Sequence, residues 1–110
     1  MLPKKERLSR QEFNRFFSVG KRFHSPSFQV VYSPYKNLHA SVVVSKKIAK
    51  HAVVRNKIRR RIYDIVRHHK TEVGMNGAFI FFVKAGIEKK SYAVLQEEIL
   101  QVVQNITKNN

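Results

Sequence analysis

The chain has 110 residues, of which 22 are Lys or Arg and 7 are Asp or Glu, so its formal net charge at pH 7 is +15. With 43% hydrophobic and 11% aromatic residues, it is too apolar to be a disordered basic tail. The absence of cysteine excludes disulfides, thiolate zinc sites and a thiol nucleophile. No apolar run approaches the ~18 residues of a membrane span, and no secretory segment is recognisable. We therefore expect one cytoplasmic domain over residues 1–110 that binds a polyanion.

The first predicted element is a short helix. Ser9 and Glu12 have the spacing of a capping box, which places the start of the helix after Ser9. Gly20 is suited to end it. Helical spacing puts three aromatic residues on one side of this helix: Phe13, Phe16 and Phe17.

Four short segments have the composition of β-strands. Runs rich in β-branched and aromatic residues predict strands over residues 21–24, 28–32, 38–44 and 78–83. The linker 35–37 is short enough for a hairpin between the second and third strands. The last segment, AFIFFV, is apolar throughout and is expected to be a central strand.

A basic helix is predicted from residue 54 to residue 70. Its apolar stripe comprises Val54, Ile58, Ile62, Ile65 and His69. Its opposite side comprises Asn56, Arg60, Tyr63 and Arg67. Ser91 is a candidate cap for a last helix whose buried stripe comprises Leu95, Ile99, Val102 and Ile106. The order α-β-β-β-α-β-α predicts an α+β fold, a two-layer α/β sandwich around one core.

Nothing in the sequence indicates a self-contained catalytic site. The acids are scattered, and the four glycines lack the spacing of a phosphate-binding loop. The five histidines form no metal-binding pattern. No base and orienting group accompany a Ser or Thr nucleophile. We therefore expect no catalytic residue and no metal ligand in this chain.

Positive charge is concentrated between residues 46 and 70, where Asp64 is the one acid. Lys and Arg neutralise phosphates and release counterions, and the Arg fork binds phosphate bidentately. A solvated helical face is the alternative, but such a face usually mixes both signs of charge. The cations of this segment are Lys46, Lys47, Lys50, Arg55, Lys57, Arg59, Arg60, Arg61, Arg67 and Lys70. We therefore predict a phosphate-binding surface.

Aromatic residues are the second ingredient of nucleic-acid binding, because an unpaired base stacked on a ring contributes about 1–3 kcal/mol whatever its identity. Candidates for such a platform are Phe13, Phe17, Phe28, Tyr32, Tyr35 and Tyr63. Core packing is the alternative, and we expect it for Phe16, Phe79 and either Phe81 or Phe82. For Phe13 and Phe17 the pattern leaves open both a core position and a half-exposed groove lining.

The basic segment resembles the signature of the bacterial ribonuclease P protein subunit. Residues 45–48 (SKKI) and 52–60 (AVVRNKIRR) are similar to that family's V-S-K-K loop and A-x-x-R-N-[RK]-hydrophobic-[KR]-R helix. The likeness covers nearly the whole chain, through Arg7-Leu8, Phe13, Phe17, Gly20, Tyr32 and the closing helix. Two positions depart from the pattern. Tyr63-Asp64 stand where the family usually has Arg-Glu, and Ala49 stands where a larger apolar residue is common. The first departure suggests that stacking substitutes for an RNA contact.

The resemblance implies an α/β sandwich with a left-handed βαβ crossover, against the usual right-handed preference. It implies a subunit of the endoribonuclease that removes the 5′ leader of precursor tRNA, in which the RNA subunit is the catalyst. The implied cofactor is Mg²⁺, bound mainly by that RNA. The implied partners are ribonuclease P RNA and precursor tRNA, with no membrane and no required protein partner.

Two surfaces follow from the resemblance. The first would contact RNA through Lys46, Lys47, Lys50, Arg55, Asn56, Lys57, Arg59, Arg60 and Arg67. The second is a groove for the single-stranded leader, which would be lined by Phe13, Phe17, Val30 and Tyr32. Stacking and phosphate contacts ignore base identity, which suits a leader of variable sequence.

Two other functions are compatible with the charge. A ribosomal component would have the same composition and fold class, and co-purification with ribosomal subunits would indicate it. A cationic membrane-surface protein would need large apolar residues exposed on the basic helix, whereas Ile58, Ile62 and Ile65 are better explained as core.

Overall fold

A computed structural model describes residues 7–72 and 74–108. The elements are α1 (Arg10–Val19), β1 (Lys21–His24), β2 (Phe28–Ser33), β3 (His39–Val43), α2 (Ala52–His69), β4 (Ala78–Val83) and α3 (Tyr92–Lys108). A 3-10 turn, Ile87–Lys89, precedes α3. The predicted element order and the α+β class are confirmed. In the part of the chain described, no helix has the length and apolarity needed to cross a membrane.

The start of α1 follows from the predicted capping box. The Glu12 backbone N–H donates to Ser9 Oγ over 3.2 Å, and the Ser9 N–H donates to Glu12 Oε1 over 2.9 Å. Gly20 ends the helix with an extended φ of −73°, so its role is not a left-handed turn. A Cβ at Gly20 would lie 2.4 Å from Val31 Cγ1 and 2.7 Å from the Phe16 carbonyl oxygen. Glycine is needed here because the chain passes so close to β2.

The sheet has the strand order β1-β2-β4-β3. β2 pairs antiparallel with both β1 and β4, whereas β3 pairs parallel with β4. The predicted hairpin between the second and third strands is therefore wrong, because β4 lies between them. β4 is buried on both faces, and an interior position is the one that satisfies such a strand. The β3-α2-β4 connection is a crossover between parallel neighbours, and its left hand stays a prediction.

Helices cover the two faces of the sheet unequally. On one face, side chains of β2 and β4 such as Phe28 and Phe81 form the main core with apolar residues of α2 and α3. On the other face, α1 covers a small cluster in which Phe16 packs with Val31 and Ile80. The sheet with α2 and α3 forms the expected sandwich, and α1 adds a partial layer on the opposite face.

The buried side of α2 is wider than its apolar stripe predicts. Ile58, Ile62 and Ile65 are buried as expected, but Val54 is 39% exposed in the first turn. Tyr63, predicted on the polar side, is 6% exposed, so that placement is wrong. Its hydroxyl accepts a hydrogen bond from the Val42 backbone N–H over 3.1 Å. Because α2 packs against both β3 and α3, more than one stripe of it is buried.

Candidate nucleic-acid interface

Three phenylalanines form an aromatic cluster where α1 crosses the sheet: Phe13 and Phe17 of α1 and Phe82 of β4. The Phe13 and Phe17 rings are nearly parallel, at 9°, with centroids 6.1 Å apart. Phe82 meets both rings edge-on, with centroid distances of 6.3 Å to Phe13 and 5.6 Å to Phe17. Phe17 is 40% exposed, while Phe13 and Phe82 are half-buried. The cluster therefore presents aromatic surface to solvent.

The structure does not bring Val30 and Tyr32 to this cluster. Both side chains belong to the main core on the opposite face of the sheet, with exposures of 0% and 9%. The Tyr32 hydroxyl donates to the Asn76 carbonyl oxygen over 3.3 Å. Their placement in one groove with Phe13 and Phe17 is wrong, because side chains of a strand alternate between faces.

Gln29 and Val31 take the places that were assigned to Val30 and Tyr32. Gln29 pairs with Phe82, and Val31 packs in the cluster beneath α1. Val30 and Tyr32 are expected there from the family resemblance, whereas strand alternation is the signal that indicates Gln29 and Val31. In the run FQVVYS, a polar Gln29 between two apolar residues marks the side of β2 that is not fully covered.

The basic loop, residues 44–51, leaves the sheet beside the aromatic cluster. The last residue of β3, Val43, pairs with Phe82, which pairs on its other side with Gln29. The loop therefore starts from the same row of the sheet. Backbone N–H groups of Ile48 and Ala49 both donate to the Ser45 carbonyl oxygen over 3.1 Å, which forms a tight turn. Lys46, Lys47 and Lys50 are exposed around this turn, while Ala49 is buried.

Arg55 is used within the chain to hold this loop. Its Nη1 donates to the carbonyl oxygens of Ala49, over 3.0 Å, and Lys50, over 2.9 Å. A guanidinium committed to two carbonyls is only partly available to phosphate. The predicted RNA contact of Arg55 thus has a second role, which is to fix the loop that carries Lys46 and Lys47.

The outer side of α2 carries the rest of the predicted RNA-binding set. Exposed side chains on it are those of Asn56, Lys57, Arg60 and Arg67. Arg59 is half-buried and donates to Asn56 Oδ1. Asp64, the one acid of α2, lies 3.8 Å from Arg67 Nη2. The first turn of α2 contains no acid, so the positive end of the helix dipole adds to the charge of the basic loop.

Two described side chains, Glu12 and Tyr63, have shifted pKa values. The Ser9 backbone N–H, which donates to the Glu12 carboxylate, lowers the pKa of Glu12. Burial raises the pKa of the Tyr63 phenol. Both pKa shifts have local structural causes: the α1 cap for Glu12 and packing against β3 for Tyr63. Over residues 7–72 and 74–108, no three His, Asp or Glu side chains are grouped so that they could hold a metal ion.

Comparison with known proteins decides the family. A family model described as Ribonuclease P matches residues 2–107. The chain belongs to the ribonuclease P protein family. Membership makes it a protein component of ribonuclease P, and implies a role in tRNA 5′ processing with a ribonuclease P RNA as partner.

Individual members and solved structures agree with that assignment. The ribonuclease P protein component of Petrotoga mobilis is 31% identical over 94% of this chain and 92% of its own length. That of Streptococcus agalactiae is 30% identical over 86% of this chain and 87% of its own length. The ribonuclease P protein of Thermotoga maritima has a TM-score of 0.81 at 24% identity, covering 91% of this chain and 96% of that one. This last likeness confirms the fold.

The Tyr63-Asp64 pair, which stands where the resemblance leads us to expect Arg-Glu, has a structural role of its own. Tyr63 is buried against β3 rather than exposed, so it is not a stacking surface that replaces an RNA contact. β3 is an edge strand, and an unpaired N–H on such an edge invites pairing with another chain. The Tyr63 hydroxyl satisfies the Val42 N–H, and the Ala40 carbonyl oxygen accepts from the Leu8 N–H over 3.4 Å. Tyr63 therefore helps to close the outer edge of β3.

Proposed function

We propose that this protein binds the catalytic RNA of ribonuclease P and the single-stranded 5′ leader of precursor tRNA. By holding both, it assists the Mg²⁺-dependent endonucleolytic removal of the leader, which gives the mature 5′ end. The observation that carries the proposal is the shared position of the aromatic cluster and the basic loop on one row of the sheet. A stacking surface flanked by cations is the arrangement that binds single-stranded RNA without a sequence requirement.

In this proposal the leader lies along the cluster formed by Phe13, Phe17 and Phe82. Its bases stack on the exposed part of Phe17, and its phosphates face the cations of the basic loop. Gln29 offers the amide that neighbours Phe82 across the strands. Val30 and Tyr32 have no part in leader binding, because they lie in the main core.

The catalytic RNA docks on the exposed side of α2 and the outer part of the loop. Lys57, Arg60 and Arg67 contact phosphates, which fix position and orientation without reading sequence. Lys46, Lys47 and Lys50 lie between the two surfaces and can serve either RNA. Arg55 acts mainly by holding the loop, and Arg59 with Asn56 presents a paired polar group beside it.

The protein is not the catalyst in this proposal. We assign Mg²⁺ to the RNA partner, since this ion takes hard oxygen ligands and RNA supplies phosphate oxygens. The holoenzyme is the endoribonuclease, it acts in the cytoplasm, and it requires neither a membrane nor another protein.

Reconstitution tests the proposal. The protein is mixed with a transcribed bacterial ribonuclease P RNA and precursor tRNA at low Mg²⁺, where the RNA alone is slow. We expect correct 5′ cleavage that depends on both protein and RNA. Cleavage without added RNA would contradict the absence of a protein active site. Tight RNA binding with no stimulation would favour a ribosomal component.

Phe17→Ala tests the leader surface in the same assay. Loss of one stacked base lowers affinity by about 5- to 150-fold, from about 1–3 kcal/mol. We expect that loss for precursor tRNA but not for mature tRNA, which has no leader. An equal loss for both would show that Phe17 only supports the fold.

A further inference from the structure

Arg22 of β1 lies over the exposed ring of the aromatic cluster. Its Cζ is 4.9 Å from the centroid of Phe17. Arg22 itself is exposed, and it pairs in the sheet with Val31, on the face that α1 partly covers. Within residues 7–72 and 74–108, no carboxylate forms an ion pair with this guanidinium.

Arg15 has a similar cation–π contact but a different setting. Its Cζ lies 4.5 Å from the centroid of Phe16, a ring that is 3% exposed. Arg15 therefore covers a ring that already belongs to the core. Arg22 covers one that is 40% exposed, so it lies on the surface that an incoming base would use.

A guanidinium in this position offers the leader both a stacking surface and hydrogen-bond donors. The group is planar and stacks on aromatic faces, while its N–H groups point outward in the plane and match phosphate oxygens. Guanidinium planes also serve as stacking surfaces for splayed RNA bases. The cation–π contact is worth only about 0.5–1 kcal/mol at an exposed site, so it orients Arg22 without locking it.

We propose that Arg22 is a leader-contact residue that extends the Phe13–Phe17 stack by one layer. One leader base stacks on the guanidinium plane, and the outward N–H groups donate to a neighbouring phosphate. Phe17 supports the guanidinium from below, so the two side chains act together. This inference rests on the proposed function and names a further residue at the same site.

Lys21 provides a matched control within the same strand. It is exposed and carries the same charge, but it pairs with Tyr32 and so belongs to the other face of the sheet. Lys21→Ala and Arg22→Ala remove equal charge one residue apart. Arg22→Lys keeps the charge of Arg22 and removes the planar group. The three variants separate stacking from long-range electrostatics.

The experiment measures the affinity of the reconstituted holoenzyme for precursor tRNA and for mature tRNA, with Ca²⁺ replacing Mg²⁺ to slow cleavage. The readout is the ratio of the two dissociation constants. We expect Arg22→Ala to reduce this ratio by about fivefold or more, and Arg22→Lys to recover only part of the loss. Lys21→Ala is expected to leave the ratio close to that of the unmodified protein.

Three outcomes would overturn the inference. Equal ratios for Arg22→Ala and Lys21→Ala would show that Arg22 acts only as one more charge. Full recovery by Arg22→Lys would exclude stacking on the guanidinium. If the unmodified protein stimulates cleavage but gives no preference for precursor, leader contact fails while the subunit role stands. Failure of the unmodified protein to stimulate cleavage at all would instead overturn the proposed function.

A fluorescent reporter gives a second measurement that does not depend on cleavage. The chain contains no Trp, so Phe17→Trp introduces a single tryptophan beneath Arg22, and its emission can be excited apart from that of the tyrosines. We expect bound leader to change its emission, and the change to differ when Arg22→Ala is added. Identical titrations with and without Arg22 would contradict a shared stack.

Discussion

The two faces of the sheet differ in how completely they are covered. Phe81 and Phe82 are neighbours in β4, yet Phe81 is fully buried in the main core, while Phe82 is half-buried beneath α1. The face with α2 and α3 is covered by two long helices, and it contains most of the buried hydrophobic residues. The face with α1 is covered by one short helix, which leaves ring surface exposed. In the proposed function, the main core and the leader-binding surface therefore lie on opposite sides of one strand.

The largest expected effect contrasts these two phenylalanines. Phe81→Ala should lower the free energy of unfolding by about 3–5 kcal/mol, the cost of a large cavity in a closed core. Phe82→Ala should cost clearly less, because its ring is already partly in water, but it should weaken leader binding. Urea unfolding of both variants checks the order. Phe81→Leu preserves the comparison if the alanine variant does not fold. Equal losses at the two positions would contradict the unequal covering of the faces.

The next largest effect concerns β3, the edge strand against which Tyr63 of α2 packs. Tyr63→Phe leaves the buried Val42 N–H without its acceptor, which should cost about 1–3 kcal/mol. Because burial raises the pKa of Tyr63 in the folded protein, the folded state retains its proton longer than the unfolded chain. The stability from this group is complete below the unfolded pKa and declines as the pH rises above it. Alkaline unfolding should therefore show a smaller difference between the protein and Tyr63→Phe. A constant difference across that pH range would contradict the buried phenol.

Two arginines of α2 are expected to differ in role: Arg55 stabilises the basic loop, whereas Arg60 contacts RNA. Arg60→Ala should weaken RNA binding and reduce its salt dependence by about one charge, with thermal stability unchanged. Arg55→Ala should also lower thermal stability, because two loop carbonyls lose their donor. Binding across several salt concentrations and thermal unfolding measure both properties. If Arg55→Ala has the same stability as Arg60→Ala, the loop does not depend on Arg55.

The smallest effect concerns the helix that half covers the binding face. Ser9→Ala should cost about 1 kcal/mol through loss of the α1 cap. The pKa of Glu12 is lowered in the folded protein, so its contribution is present above the unfolded pKa and is lost as the pH falls through the folded value. Glu12→Gln should flatten this acid dependence of unfolding. If Glu12→Gln leaves the acid dependence of the free energy of unfolding unchanged, the Glu12 carboxylate does not contribute to stability.

Local patterns predicted much of the fold. The α1 capping box, the β1 boundaries and the buried stripe of α3 depend on residues close together in the chain, and all three are confirmed. The neighbours of β2 could not be predicted in the same way. A three-residue linker is compatible with a hairpin, but the strand that pairs with β2 on the side opposite β1 is β4, about fifty residues further along. Pairing of distant strands depends on the burial needs of the whole sheet.

The candidate site shows the same division. Charge and motif in the sequence alone are sufficient to indicate a basic loop and helix and the family they resemble. For Phe13 and Phe17 the pattern left core and groove positions open, and only the family resemblance placed them in a groove. The partners of those rings were decided by three-dimensional packing. Because side chains of a strand alternate between faces, Val30 and Tyr32 lie in the main core. Gln29, Phe82 and Arg22 lie on the opposite face, with the cluster. Residue type is local information, whereas the face on which a side chain lies depends on which helices cover the sheet.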